Sequence, residues 1–111
     1  MQIRQSKKDD VVILELDGRL DANTSSLFSD QLVQLIASGD KNFVIDLSQL
    51  VYISSSGLRA FLIAARQLRS NGKMVLCSLN QDVKEVFDIT GFGSLFPVVA
   101  SQQEALRTFQ S

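Results

Sequence analysis

Three short apolar runs without a charged residue recur along the chain: Val11-Val12-Ile13-Leu14, Phe43-Val44-Ile45 and Met74-Val75-Leu76-Cys77. Stretches with helical spacing separate them. Continuous apolar, β-branched runs of this length fit strands covered on both faces. Strands that alternate with helices pair in parallel through right-handed crossovers, which confines the chain to a compact α/β layer.

The elements between these runs are legible one by one. Residues 2–6 and 11–17 read as two extended segments joined by Lys7-Lys8-Asp9-Asp10, an antiparallel hairpin, with Asp17-Gly18 ending the second strand. From about Thr24 to Ser38, Phe28, Leu32, Leu35 and Ile36 fall on one helical face, and Gly39-Asp40 closes that helix. A strand from Phe43 to Leu47 is followed by a short polar turn. The next helix carries Leu58, Phe61, Leu62, Ala65 and Leu68 as a stripe. Arg66 and Arg69 lie in its last turns, where cations suit the helix dipole, and Asn71-Gly72 terminates it.

Asn80 is placed to cap a short helix holding Val83, Val86 and Phe87, which stops at Gly91 with Phe92 packing back on it. Leu95 to Val99 reads as an edge strand, because Pro97 has no N–H for a ladder. Ser101-Gln102-Gln103-Glu104 has the form of a capping box opening a C-terminal helix with Leu106 and Phe109. The expectation is one mixed, mostly parallel sheet of about five strands with about four helices.

Composition narrows the chemistry. With 111 residues, 45% of them hydrophobic, a single domain spanning 1–111 with one core is expected without disulfides or metal. Eleven basic and 12 acidic residues leave a net charge of −1, so no basic face for nucleic acid is expected. There is no histidine, which removes the usual general base and the commonest metal ligand. A lone Cys77 cannot form an internal disulfide and reads as a buried apolar thiol. No apolar run is long enough for membrane insertion and the N-terminus lacks a signal-peptide core, so a cytoplasmic protein is expected. No long apolar surface stripe calls for an obligate dimer, and a monomer is expected. Neither a cofactor motif nor an acid–base pair is evident, so no enzyme activity is expected.

The chemistry that remains is concentrated in Val51-Tyr52-Ile53-Ser54-Ser55-Ser56-Gly57-Leu58. Three hydroxyls stand just before an amphipathic helix, where backbone N–H groups lack intrahelical partners and the dipole adds partial positive charge. One serine is accounted for as a helix cap. The others are free to accept a phosphate, which suits a switch better than catalysis on a small substrate.

These residues and others in order along the chain carry a resemblance. Leu16-Asp17-Gly18-Arg19-Leu20-Asp21, Val44-Ile45-Asp46-Leu47-Ser48, Tyr52-Ile53-Ser54-Ser55-Ser56-Gly57-Leu58, Gly72-Lys73-Met74-Val75-Leu76 and Val86-Phe87-Asp88-Ile89-Thr90-Gly91-Phe92 match in sequence. Nearly end to end, the chain resembles the STAS domain of bacterial anti-sigma factor antagonists. The resemblance implies a single STAS-like α/β domain acting as a partner switch. Unphosphorylated, such a domain binds an anti-sigma factor that is also a serine protein kinase. Phosphorylation dissolves the complex, and a metal-dependent serine phosphatase reverses it.

By the same resemblance the phosphoacceptor is Ser55; the expected partner-binding set is Asp21, Ser54, Ser56, Gly57, Leu58 and Arg59, the last a solvated helix-face residue close enough to the serines to assist an acidic partner. Ser54 departs from the pattern, standing where the best-known antagonists carry aspartate, so Ser54 and Ser56 remain alternative acceptors. Asp21 has a second reading as the cap of the first helix, with Asn23 and Thr24 as rivals. Asp46 ends a strand as the phosphoacceptor of a response-regulator receiver does. Receivers also need paired acids after the first strand and a lysine after the last, and Pro97-Val98-Val99 offers none. Asp46 is therefore expected to bond the turn at Leu47-Ser48. The alternative function is a STAS accessory subunit of a signalling or lipid-transport complex that acts without phosphorylation.

Overall fold

The computed structural model describes residues 1–68 and 71–110; Arg69, read above as part of a cationic helix end, lies outside them. The strands are β1 (Gln2–Lys8), β2 (Val11–Leu20), β3 (Asn42–Ile53), β4 (Lys73–Cys77) and β5 (Val98–Val99). The helices are α1 (Ser25–Ala37), α2 (Ser55–Leu68), α3 (Gln81–Thr90) and α4 (Gln102–Arg107). The sheet order follows the chain, β1-β2-β3-β4-β5, antiparallel between β1 and β2 and parallel thereafter. The expected mixed sheet, N-terminal hairpin and four helices are all present.

A sheet whose parallel strands follow in sequence order, joined by crossovers of one hand, must carry all its crossover helices on one face. The burial pattern shows this division. Leu14, Leu16, Phe43, Ile45 and Leu76 pack with Phe28 and Leu32 of α1, Phe61 of α2 and Phe87 of α3. Val11, Ile13, Val44, Val75 and Cys77 pack with Ala105 of α4 on the opposite face. Phe61 is the hub of the larger core, with ring centroids 5.0 Å from Phe28, 5.6 Å from Phe87 and 6.0 Å from Phe96.

Four boundaries differ from the sequence reading. Lys7 and Lys8 belong to β1, which leaves Asp9-Asp10 as the hairpin turn; Asp9 takes a left-handed conformation (φ 56°) that aspartate tolerates. β2 does not end at Asp17-Gly18 but runs to Leu20. β3 does not turn after Leu47 but continues to Ile53, paired with β2 through two irregularities in register. β5 is reduced to Val98-Val99, preceded by a 3-10 turn at Phe92–Ser94. Pro97 can offer only its carbonyl, which accepts from the Leu76 N–H at 2.9 Å.

In place of the expected turn at Leu47-Ser48 the strand carries a bulge. Pairing advances from Glu15↔Asp46 to Asp17↔Gln49, so β3 spends one residue more than β2 there. Asp46 holds this bulge: its Oδ1 accepts from the Ser48 N–H at 2.9 Å. The bond expected of Asp46 is thus present, inside a strand instead of at its end. Beyond β4's reach, the Leu50 carbonyl is satisfied by Asn80 Nδ2 at 2.8 Å.

α3 is capped as expected, with Asn80 Oδ1 accepting from the Val83 N–H at 2.9 Å and Gly91 left-handed (φ 77°) at the C-terminal end. At α4, Ser101 Oγ accepts from the Glu104 N–H at 3.1 Å; the Glu104 carboxylate accepts in turn from Ala100 N–H. Phe109 lies just past α4 and packs on the smaller core. Among the described residues, no helix is long and apolar enough to cross a membrane.

Candidate functional site

β2 and β3 end side by side, with Leu20 paired to Ile53. This common end delivers Asp21 and Ser54 to one corner at the C-terminal edge of the sheet, where ligands gather in parallel α/β folds. The junction is tied by the Leu20 carbonyl. It accepts from both the Ser54 N–H at 2.9 Å and the Ser54 hydroxyl at 3.0 Å.

Ser54 is the cap of α2. Its Oγ accepts from the Gly57 N–H at 3.2 Å and its carbonyl accepts from the Leu58 N–H at 3.0 Å. Ser55 is the first residue of the helix and is exposed; Ser56, next, is half-buried. Gly57 and Leu58 face inward and are buried. A Cβ at Gly57 would lie 2.9 Å from Ile53 Cγ1 and 2.9 Å from Leu20 Cδ2, so only glycine lets the helix start so close to the strand ends. Arg59 is exposed one turn after Ser55.

Asp21 opens the turn that leads into α1. Its Oδ1 accepts from the Asn23 N–H at 3.0 Å and the Thr24 N–H at 3.1 Å, while its own N–H donates to Thr24 Oγ1 at 2.9 Å. These reciprocal bonds close the turn ahead of α1; the cap position itself falls to Thr24, whose side chain makes no capping bond to the helix. The Thr24 N–H foremost, with help from Asn23, the Thr24 hydroxyl and Arg19, holds the Asp21 carboxyl below the usual carboxylate range against the opposing effect of desolvation.

Two features at this corner escaped the sequence reading because they depend on the extra length of β2 and β3. Arg19 and Tyr52 are register partners, and the guanidinium lies 4.2 Å from the ring centroid. Val51 stands 64% exposed beside it, above a groove of about 200 Å³ between β3 and α3. A second groove, of about 220 Å³, runs between α1 and α2 and is lined by Ser26 and Ser29 on one side and Ser56 and Arg59 on the other.

Asp46 belongs to neither groove. It is buried on the opposite face under α4, where its Oδ2 accepts from Gln102 Nε2 at 2.9 Å. Its neighbour Cys77 is fully buried; burial first, and then the charge of Asp46, pushes the thiol up to about 11, which suits an inert packing role.

The model of the family described as the STAS domain matches residues 2–105. The chain belongs to the STAS domain family. BtrV of Bordetella bronchiseptica, named as an anti-sigma factor antagonist, is 38% identical, and the match covers 100% of this chain and 97% of BtrV. The crystal structure of an anti-sigma factor antagonist from Thermotoga maritima superposes with a TM-score of 0.93 at 22% identity, covering 98% of this chain and 95% of that one. The Bacillus cell fate determinant SpoIIAA in its phosphorylated form superposes with a TM-score of 0.78 at 20% identity, covering 98% and 100%. In this STAS domain, then, Asp21 and the serine triplet follow directly on the paired ends of β2 and β3, and Ser56 and Arg59 line one groove with α1.

Proposed function

We propose that this STAS domain is an anti-sigma factor antagonist that works by partner switching, with Ser55 as its phosphoacceptor. Unphosphorylated, it binds an anti-sigma factor that is also a serine kinase and so frees the sigma factor. Transfer of a phosphoryl group to Ser55 Oγ ends the complex, and a metal-dependent serine phosphatase restores the binding form by hydrolysis. The protein is itself no enzyme. It acts as a single-domain monomer in the cytoplasm, with no cofactor, nucleic acid or membrane insertion.

The observation that carries this reading is the division of labour within the triplet. Ser54 spends its hydroxyl as donor to Leu20 and acceptor from Gly57, whereas Ser55 offers its hydroxyl to solvent on the first turn of a 14-residue helix. A serine in the cap position replaces the aspartate of the best-known antagonists while keeping an oxygen there to accept the helix N–H. Ser56 is half-buried against α1 and is the less accessible hydroxyl. The name carried by BtrV and the existence of a phosphorylated form of SpoIIAA support the same reading.

The energetics of a phosphate at Ser55 differ between the free and bound states. It adds about −1.5 to −2 charges at neutral pH, which the N-terminus of α2 tolerates because its dipole and free N–H groups favour negative charge. Buried against a partner, the dianion must be desolvated together with any counter-ion it holds, at a cost of several kcal/mol. Folding survives; binding does not. Asp21, Ser54, Ser56 and Arg59 form the partner-facing rim, and Gly57 and Leu58 act from beneath by fixing where α2 begins.

The test is phosphosite mapping by mass spectrometry on the protein recovered from its native cells, with Ser55→Ala in parallel. Phosphate on Ser55 that disappears in the variant is the expected result. Phosphate confined to Ser54 or Ser56, or none across growth, starvation and stress, would contradict it; the last outcome would favour an accessory subunit that acts without phosphorylation.

A further inference from the structure

We propose that Arg59 is the intramolecular counter-ion of the phosphate on Ser55, a positioning residue that draws the phosphate back along the first turn of α2. The proposal rests on the reading of Ser55 as the phosphoacceptor. Ser55 and Arg59 stand four residues apart on one helix, which makes them neighbours on its surface. Helical side chains lean toward the N-terminus, which directs the long arginine stem toward the turn that bears Ser55 and Ser56, and Arg59 shares a groove with Ser56. Its planar guanidinium can meet two phosphate oxygens at once.

Nothing else at the corner is equally placed to do this. Arg59 is exposed and makes no ion pair with an acidic group among the described residues. The first turn of α2 contains no acidic residue to compete for it, and the facing wall of α1 presents the uncharged Ser26 and Ser29. Asp21 is committed to the Asn23 and Thr24 N–H groups, and Arg19 lies over the Tyr52 ring. Arg66, the other arginine of α2 among the described residues, lies about 16 Å along the axis from Ser55.

The consequence is a switch with two coupled changes. In the unphosphorylated protein Arg59 is a free cation on the rim that faces the partner. Once Ser55 carries phosphate, the same guanidinium is drawn onto it and withdrawn from that rim. Phosphorylation thus adds a negative charge and cancels a positive one at the same place.

The experiment is a 31P NMR titration of the full chain carrying phosphoserine at position 55, introduced during synthesis so that no kinase is needed. The second ionisation of phosphoserine lies near pH 6, and a fixed cation beside it lowers that value. Arg59→Gln is expected to raise it by about 0.3 unit relative to the unsubstituted protein. Arg59→Lys should retain part of the lowering, and Lys84→Gln on α3 should leave it unchanged. Coincident curves for Arg59→Gln and the unsubstituted protein would overturn the proposal, as would an equal rise in Lys84→Gln, which would trace the effect to overall charge. The titration needs no partner, so its outcome is separable from the switching reading, which fails instead if the phosphorylated protein still binds its partner.

Discussion

At Ser54 the hydroxyl is used twice, donating to the Leu20 carbonyl and accepting from the Gly57 N–H, whereas the next hydroxyl in the chain is exposed. The two serines should therefore separate cleanly on substitution. Ser54→Ala removes a cap and should cost about 1 kcal/mol of stability, while Ser55→Ala at an exposed position should stay within about 0.5 kcal/mol. Urea denaturation of both variants checks this, and the reverse order would contradict the assignment of cap and acceptor. The sequence alone located the triplet at the start of a helix. Which serine caps depends on where β3 stops, and that is decided by the pairing of Leu20 with Ile53, a contact between distant segments.

The elements show the same limit. The runs at Val11, Phe43 and Met74 were legible because both faces of those strands are buried. The second half of β3 was not, because Ser48, Gln49, Val51 and Tyr52 are exposed and carry the polar–apolar mixture of a loop. In α2 the sequence places Leu62 and Ala65 on the buried stripe, yet Gly57, Ala60 and Ala64 lie inside and those two are only half-buried. A helix that packs on a sheet and also on α1 needs small residues at the second contact, a requirement invisible to a search for large apolar side chains. Gly57 has the tightest such place. Gly57→Ala gains helix propensity but drives a methyl into Leu20 and Ile53, and overpacking of this kind costs about 1–3 kcal/mol. A net loss of stability is expected in the same denaturation assay; a neutral or stabilised variant would show that the two side chains yield.

For the molecule as a whole, the strand order β1-β2-β3-β4-β5 places α1, α2 and α3 on one face and leaves α4 to cover the other. The candidate site therefore forms where the two longest strands outrun the rest of the sheet, at the start of α2, with Ser55 and Arg59 exposed and Leu58 anchored in the larger core. Such a site can change its charge without disturbing the fold, which is the property a partner switch requires. The direct test is calorimetric titration of the proposed partner, an anti-sigma factor kinase, with the unmodified protein, with the protein phosphorylated at Ser55, and with Ser55→Asp. Thermal melts of all three should be run alongside. The account predicts melting temperatures that agree closely and an affinity that falls by about a hundredfold or more on phosphorylation, with Ser55→Asp weakened in the same direction. Equal affinities for the three forms, or loss of binding only together with loss of the fold, would contradict it.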